Sequence, residues 1–189
     1  MVGNLQRSGM RPTSLALLIG ALGAAAPAQI KSFTLEEMAT VADNAIQGQI
    51  TASRVFRVDS PRDGDGLFFT RLTIVGRSLS DGRPLTADVT FQGGFLSETE
   101  GVFNSEAPSA DDVKIGRSVV AFYSWTDDMG GNVAGNALIA AHGGIYRTVD
   151  GPRGVAVLGR GEGYAIAANV RAEHLETALK NLYSKKTKR

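Results

Sequence analysis

Alternation of apolar and polar side chains with a period of two, cut by glycine turns, is the feature that most narrows the choice of fold. In "LTADVTFQ", Leu85, Ala87, Val89 and Phe91 face one way, and Thr86, Asp88, Thr90 and Gln92 the other. A strand with one face on a core and the other in water has this pattern. The same period recurs along the chain. "AIQGQITASRVFRV" reads as a long strand, with Ile50, Ala52, Phe56 and Val58 expected on one side. Arg54 interrupts that side and marks part of the strand as an edge. "LFFTRLTIVGRSL" is rich in the β-branched and aromatic residues that suit a pleated surface. "RSVVAFYSW" is apolar on both faces, which predicts a central strand, and "ALIAA", "IYRTV" and "VAVLG" are three shorter ones. Asp81-Gly82, Gly93-Gly94, "TDDMGGN", His142-Gly143-Gly144 and Asp150-Gly151-Pro152 supply the turns. Seven or eight strands with turns roughly every 8–12 residues predict a single antiparallel β-barrel or a sandwich.

Both ends of this β region change period. Thr34 with Glu37 three residues on forms a capping box, so a short helix is expected with Leu35, Met38, Val41 and Ala42 on its apolar face. In "AEHLETALKNLY", Leu175, Ala178, Leu179 and Leu182 recur at helical spacing, with Asn169 as the expected N-cap. Ahead of everything lies a leader. Arg7 and Arg11 precede the apolar run "SLALLIGALGAAAPA", which ends in the small-x-small site Ala26-Pro27-Ala28. This is the three-part pattern of a secretory signal peptide over residues 1–28, cleaved after Ala28. The expected organisation is then one domain over residues 29–183 and a basic tail over 184–189, in a secreted or periplasmic protein with no transmembrane segment in the mature chain.

Charge and cysteine usage exclude several classes. Of 20 basic and 19 acidic residues, Arg7 and Arg11 leave with the leader and five more basic residues crowd the tail "KNLYSKKTKR", so the body is mildly acidic. It carries no electrostatic footprint for nucleic acid. The absence of cysteine removes disulfides, thiol nucleophiles, zinc–thiolate sites and iron–sulfur clusters.

The candidate chemical motifs fare no better. "DSPRDGDGLFF" offers Asp59, Asp63 and Asp65, but no register places ligands at the positions a helix–loop–helix calcium loop needs. Its Asp-Gly pairs suit a hairpin tip, and weak calcium binding by Asp63 and Asp65 is the alternative. "GRGEGY" has neither the dinucleotide spacing nor a P-loop lysine, so its glycines point to close backbone approach or a bulge. His142 and His174 lack the spacing of a metal pair. No catalytic, cofactor-binding or metal-binding residue is assigned, and no cofactor. Distant carboxylates such as Glu98, Glu100, Glu106 and Glu162 are the remaining route to a hydrolase. Phe95, Phe103, Tyr123, Trp125, Tyr146 and Tyr164, in loops or near strand ends, are candidates for a binding groove as well as for the core.

Two segments carry a family resemblance. "LEEMATVADNAIQGQI" resembles the region after the signal peptide in an uncharacterised family of secreted bacterial β-barrel proteins, through Leu35, Glu36, Glu37, Ala42, Asp43, Ala45, Ile46, Gly48 and Ile50. "VKIGRSVVAFY" is similar to that family's second signature. The resemblance implies a small closed OB-like barrel and brings no agreed activity. Metalloprotease inhibitors of the netrin type share only the architecture, and their N-terminal cysteine is absent here. The expectation is therefore a non-enzymatic binding or accessory protein with an unknown protein, peptide or glycan ligand. Its ligand would meet the long polar 95–114 loop and the 59–66 tip, on the rule that exposed loops on a rigid scaffold carry function.

Overall fold

The computed structural model describes residues 32–186, so the expected leader and its cleavage site lie outside the described residues. Thr34 opens α1 (Leu35–Val41): its hydroxyl accepts from the Glu37 N–H, and the Glu37 carboxylate accepts from the Thr34 N–H. The reciprocal cap starts the helix at the predicted residue. Its buried face is Met38 and Ala39, continued by Ala42, whereas Val41 is exposed at 42%. Of the expected apolar face, Leu35, Met38 and Ala42 meet the core and Val41 does not; Ala39 takes its place.

Five strands close a barrel. β1 (Asn44–Ser60) pairs with β2 (Gly64–Ser78), and β2 with β3 (Pro84–Gln92). A small hairpin of β4 (Gly94–Phe95) and β5 (Gly101–Val102) follows, within a stretch that shows no strand periodicity in sequence. β6 (Ser118–Thr126) pairs with β1, and β7 (Gly135–Leu138) pairs with β6 and with β3, so the ring runs β1-β2-β3-β7-β6-β1. This is the strand order of an OB-like barrel. All pairs in the ring are antiparallel except β3–β7, which is parallel, a departure from the all-antiparallel expectation. β7 starts two residues before the expected "ALIAA" strand and takes in only its Ala137 and Leu138, because Ala140 and Ala141 adopt positive φ and lead into a 3-10 turn over Ala141–Gly144. β8 (Ile145–Gly151), β9 (Gly154–Val157) and β10 (Val170–Arg171) then extend the sheet from β6 outward.

β1 does not keep one face throughout. Its register to β2 steps from Ile50↔Ile74 to Ala52↔Thr73, so Thr51 is an extra residue, a bulge that inverts the alternation. Ile50 is therefore in the barrel core, while Ala52, Arg54, Phe56 and Val58 share the outer face; the expectation that Ile50 lies with them is corrected. Ser53 and Val55, opposite Leu72 and Thr70, take the inner side. The β6 ladder on β1 covers only Asn44–Gln49, so beyond the bulge β1 is paired on one side alone, as the Arg54 interruption implies.

β6 explains its own double apolar character. Val119, Ala121 and Tyr123 point into the barrel with Ile46, Ile50, Leu72 and Ile74, all buried. Val120 and Phe122 point the other way, into a second core with Met38, Tyr146, Leu175 and Leu179. α2 (Ala172–Lys186) supplies the outer layer of that core through Ala172, Leu175, Leu179 and Tyr183. Asn169 does not cap it: its side-chain oxygen accepts from the Gly159 N–H. The helix runs on through Ser184 to Lys186, the start of the basic tail, and Lys186 donates to the Ala42 carbonyl at 3.0 Å. No helix among the described residues is long and apolar enough to cross a membrane.

Glu176 ties α2 to β2. It accepts from Lys180 at 2.8 Å and from Arg77. The Lys180 hydrogen bond, with that of Arg77, outweighs burial and holds the carboxyl below its ordinary value of 4.5. A lowered folded-state pKa gives stability that is full above the unfolded value and lost as pH falls through the folded one. Glu176→Gln is therefore expected to destabilise at neutral pH and to converge on the wild type below pH 4.5. Urea denaturation at stepped pH measures this, and a gap that stays constant into acid would contradict it.

Candidate functional site

The end of the barrel beyond the β1 bulge is open, and the β4–β5 hairpin lies across it. Gly93 and Gly94, both at positive φ, turn the chain out of β3. Gly94 then rests directly on β1 and β2: a Cβ there would meet the Thr70 hydroxyl oxygen at 2.4 Å and Val55 at 3.0 Å. The Thr70 hydroxyl donates to the Gly93 carbonyl at 2.7 Å, and Arg57 on β1 pairs with Glu100 at the hairpin tip, 3.4 Å away. The hairpin is thus fixed at its root and at its tip.

Between this hairpin, the inner side of β1 and the 104–113 segment runs a groove of about 630 Å³. Its floor and walls include Val55, Phe91, Phe95, Val102, Phe103 and Val113. Phe103 is 80% exposed, Phe95 53% and Val102 44%. Volume and lining fall within the range of ligand clefts, which are mostly apolar with a few placed polar groups.

The polar groups gather at one end. Asp112, buried at 8% exposure, accepts from Arg160 at 2.5 Å and lies 3.3 Å from Arg147. Ser109 donates to the same carboxylate at 2.8 Å. Arg160 also lies 5.9 Å from the Tyr164 ring centroid and 6.0 Å from that of Tyr146. His142 Nδ1 is 3.0 Å from the Glu106 carbonyl, which can only accept, so Nδ1 carries a proton. Nε2 lies within hydrogen-bond distance of the Tyr164 hydroxyl, 3.1 Å away. Both ring nitrogens are engaged in holding the 104–113 segment and the 158–169 loop together. The cluster stiffens one wall of the groove.

The expected contact regions separate. Residues of the 95–114 segment line the groove. The 59–66 tip is a hairpin, with Ser60 opposite Gly64, and it leans instead on the 127–131 turn. Asp63 accepts from the Gly131 N–H at 2.9 Å, and Arg62 pairs with Asp128 at 2.5 Å. The Gly131 N–H, then Arg62, holds the Asp63 carboxyl below the usual range; Gly66 N–H and Arg57 do the same for Asp59. Asp65 is exposed. Among the described residues, no group of three or more His, Cys, Asp or Glu side chains could hold a metal ion.

Of the three glycines in the 158–169 loop, Gly159 serves close backbone approach, as read from sequence, whereas Gly161 and Gly163 have room for a Cβ and instead take positive φ. A Cβ on Gly159 would lie 2.5 Å from the Ala167 carbonyl, and the Arg160 and Gly161 N–H groups donate to Ile166 and Ala167 carbonyls. Those donors are committed within the loop. Glu98, Glu100, Glu106 and Glu162 are all exposed, and none borders the apolar groove. Of the aromatic candidates, Phe95 and Phe103 line the groove. Tyr123 and Tyr146 are buried in the two cores, and Trp125 is exposed elsewhere, its indole N–H on Asp127.

Ser53, Val55 and Thr70 are groove-facing residues that the sequence reading missed. Only the bulge places Ser53 and Val55 there, and threonine at the bulge is an ordinary strand residue that gives no warning. No family model, no curated protein and no solved structure matches this chain.

Proposed function

We propose that the chain is an exported, non-enzymatic binding or accessory protein of the bacterial envelope or extracellular space, and that its ligand lies in the groove at the open barrel end. The observation that supports this is the apolar hairpin beside that groove. Phe95, Val102 and Phe103 stay exposed on a segment anchored at both ends. A contiguous exposed apolar surface next to a preformed cleft is characteristic of a contact site. The leader pattern and the family resemblance in "LEEMATVADNAIQGQI" support export. Hydrolysis by paired carboxylates has no comparable support, since the candidate glutamates do not converge on the groove.

The test uses Val102→Glu with Phe103→Glu, a surface double variant that leaves both cores intact. An apolar fluorescent probe, 8-anilinonaphthalene-1-sulfonate, is expected to bind the wild-type protein and to lose about tenfold in affinity with the variant. Proteins or peptides retained from an envelope extract at physiological salt should be lost in parallel. Equal probe binding and equal retention by both forms would overturn the reading, provided their thermal midpoints agree.

A further inference from the structure

The groove has a second wall property that its lining does not exhaust. Beyond the Thr51 bulge, β1 pairs with β2 alone, and among the described residues no backbone group of 52–58 bonds to anything else. A sheet edge of this length is a template for another strand, and only an extended polypeptide offers the alternating N–H and C=O groups that would complete it. Ser53 and Val55 on this edge face the groove. The residue between them, Arg54, faces outward and stands directly opposite Arg71 on β2.

That cross-strand pair is like-charged, which is destabilising in a ladder. Among the described residues neither arginine has a carboxylate partner: Arg71 contacts the Thr90 hydroxyl at 3.4 Å and the Phe56 ring at 5.1 Å. Lys114, exposed beside the site where the Gly116 N–H bonds the Ile50 carbonyl, is also without an ion pair among the described residues. The free edge is thus bordered on its outer face by Arg54 and Arg71, without an ion pair among the described residues, and on its inner face by an apolar cleft.

We propose, resting on the groove as the ligand site, that the ligand is an extended peptide segment that adds as a strand to the free edge of β1, with an acidic residue between two apolar ones. Side chains of an added strand alternate as those of β1 do. Residues opposite Ser53 and Val55 enter the groove between Phe95 and Val113, and the residue opposite Arg54 projects beside Arg54 and Arg71. Backbone hydrogen bonds supply affinity, and the apolar–acidic–apolar pattern supplies selectivity.

The experiment pans the purified protein against a displayed library of random dodecapeptides. The strongest binder is then synthesised with its backbone methylated at one nitrogen at a time. The expected consensus has Asp or Glu flanked by apolar residues. Methylation is expected to weaken binding about tenfold or more at alternate positions and to leave the positions between them unaffected, since only every second N–H faces the edge. Arg54→Glu is expected to shift selection toward Lys or Arg at the central position, a change of preference that misfolding cannot produce. Binding that tolerates methylation everywhere, or a preference unmoved by Arg54→Glu, would overturn strand addition. If no peptide is enriched while the fluorescent probe still binds the wild type and not the double variant, the groove stands and the peptide does not; if the probe also fails to discriminate, the groove itself is wrong.

Discussion

Gly76→Ala is expected to cost about 4 kcal/mol or more, in the exceptional range for one methyl group. Gly76 on β2 stands opposite Gly48 on β1. A Cβ on Gly76 would sit 2.0 Å from the Gln47 carbonyl oxygen and 2.5 Å from the Gly48 Cα, and one on Gly48 would meet the Val75 carbonyl oxygen at 2.3 Å. These are backbone atoms, with no rotamer to give way. The two strands approach and coil here, and glycine in a strand interior marks such a corner in a barrel. Relief would require prising β1 from β2, along the longest ladder in the molecule. Gly64→Ala is the control: its φ is +97° but nothing lies within 4 Å, so it carries only conformational strain of about 1 kcal/mol. Urea midpoints of the two variants decide the matter. If Gly76→Ala is no worse than Gly64→Ala, the strands have slack that the geometry denies them.

Phe122→Ala should cost about 3–5 kcal/mol and lower the thermal midpoint by roughly 10–15 °C. Phe122 has no exposed surface and meets the Tyr146 ring edge-on, with centroids 6.2 Å apart at 84°. Its neighbours come from separate elements: Met38 of α1, Leu175 and Leu179 of α2, and Tyr146 of β8. Removing the ring leaves a cavity between a closed barrel and two helices, neither of which can collapse without moving the other. Phe122→Leu preserves most of the volume and should cost about 1.5 kcal/mol or less. Differential scanning calorimetry of both variants tests this. A loss below about 1 kcal/mol for the alanine variant would mean that the helical layer adapts freely.

Much of this architecture was legible in the residues because it depends on local rules. The capping box placed the start of α1, the Leu175–Leu179 spacing placed α2, and the double apolar face of "RSVVAFYSW" marked the strand that serves two cores. What escaped reading arises where a local pattern is interrupted by one residue or settled at long range. The Thr51 bulge inverts half of β1 and carries Ser53 and Val55 to the groove. Asn169 looks like a helix cap, but the nearer unsatisfied donor is the Gly159 N–H. The β4–β5 hairpin is too short to show a period, and its position depends on Gly94 resting on Thr70 and Val55. The groove residues Phe95 and Phe103 were visible as aromatic side chains, but their exposure follows from that anchoring.

The ring of strands also sets the order in which the protein can assemble. β1 and β2 can zip together as soon as they exist, but the seam between β1 and β6 joins Gln47 to Val120, roughly seventy residues later, and the parallel contact of β3 with β7 comes later still. Folding dominated by such distant pairings belongs to the millisecond-to-second regime rather than the microsecond one. A nascent chain therefore stays open until most of it has been made, with its first hairpin formed and the Asn44–Gln49 half of β1 waiting for β6.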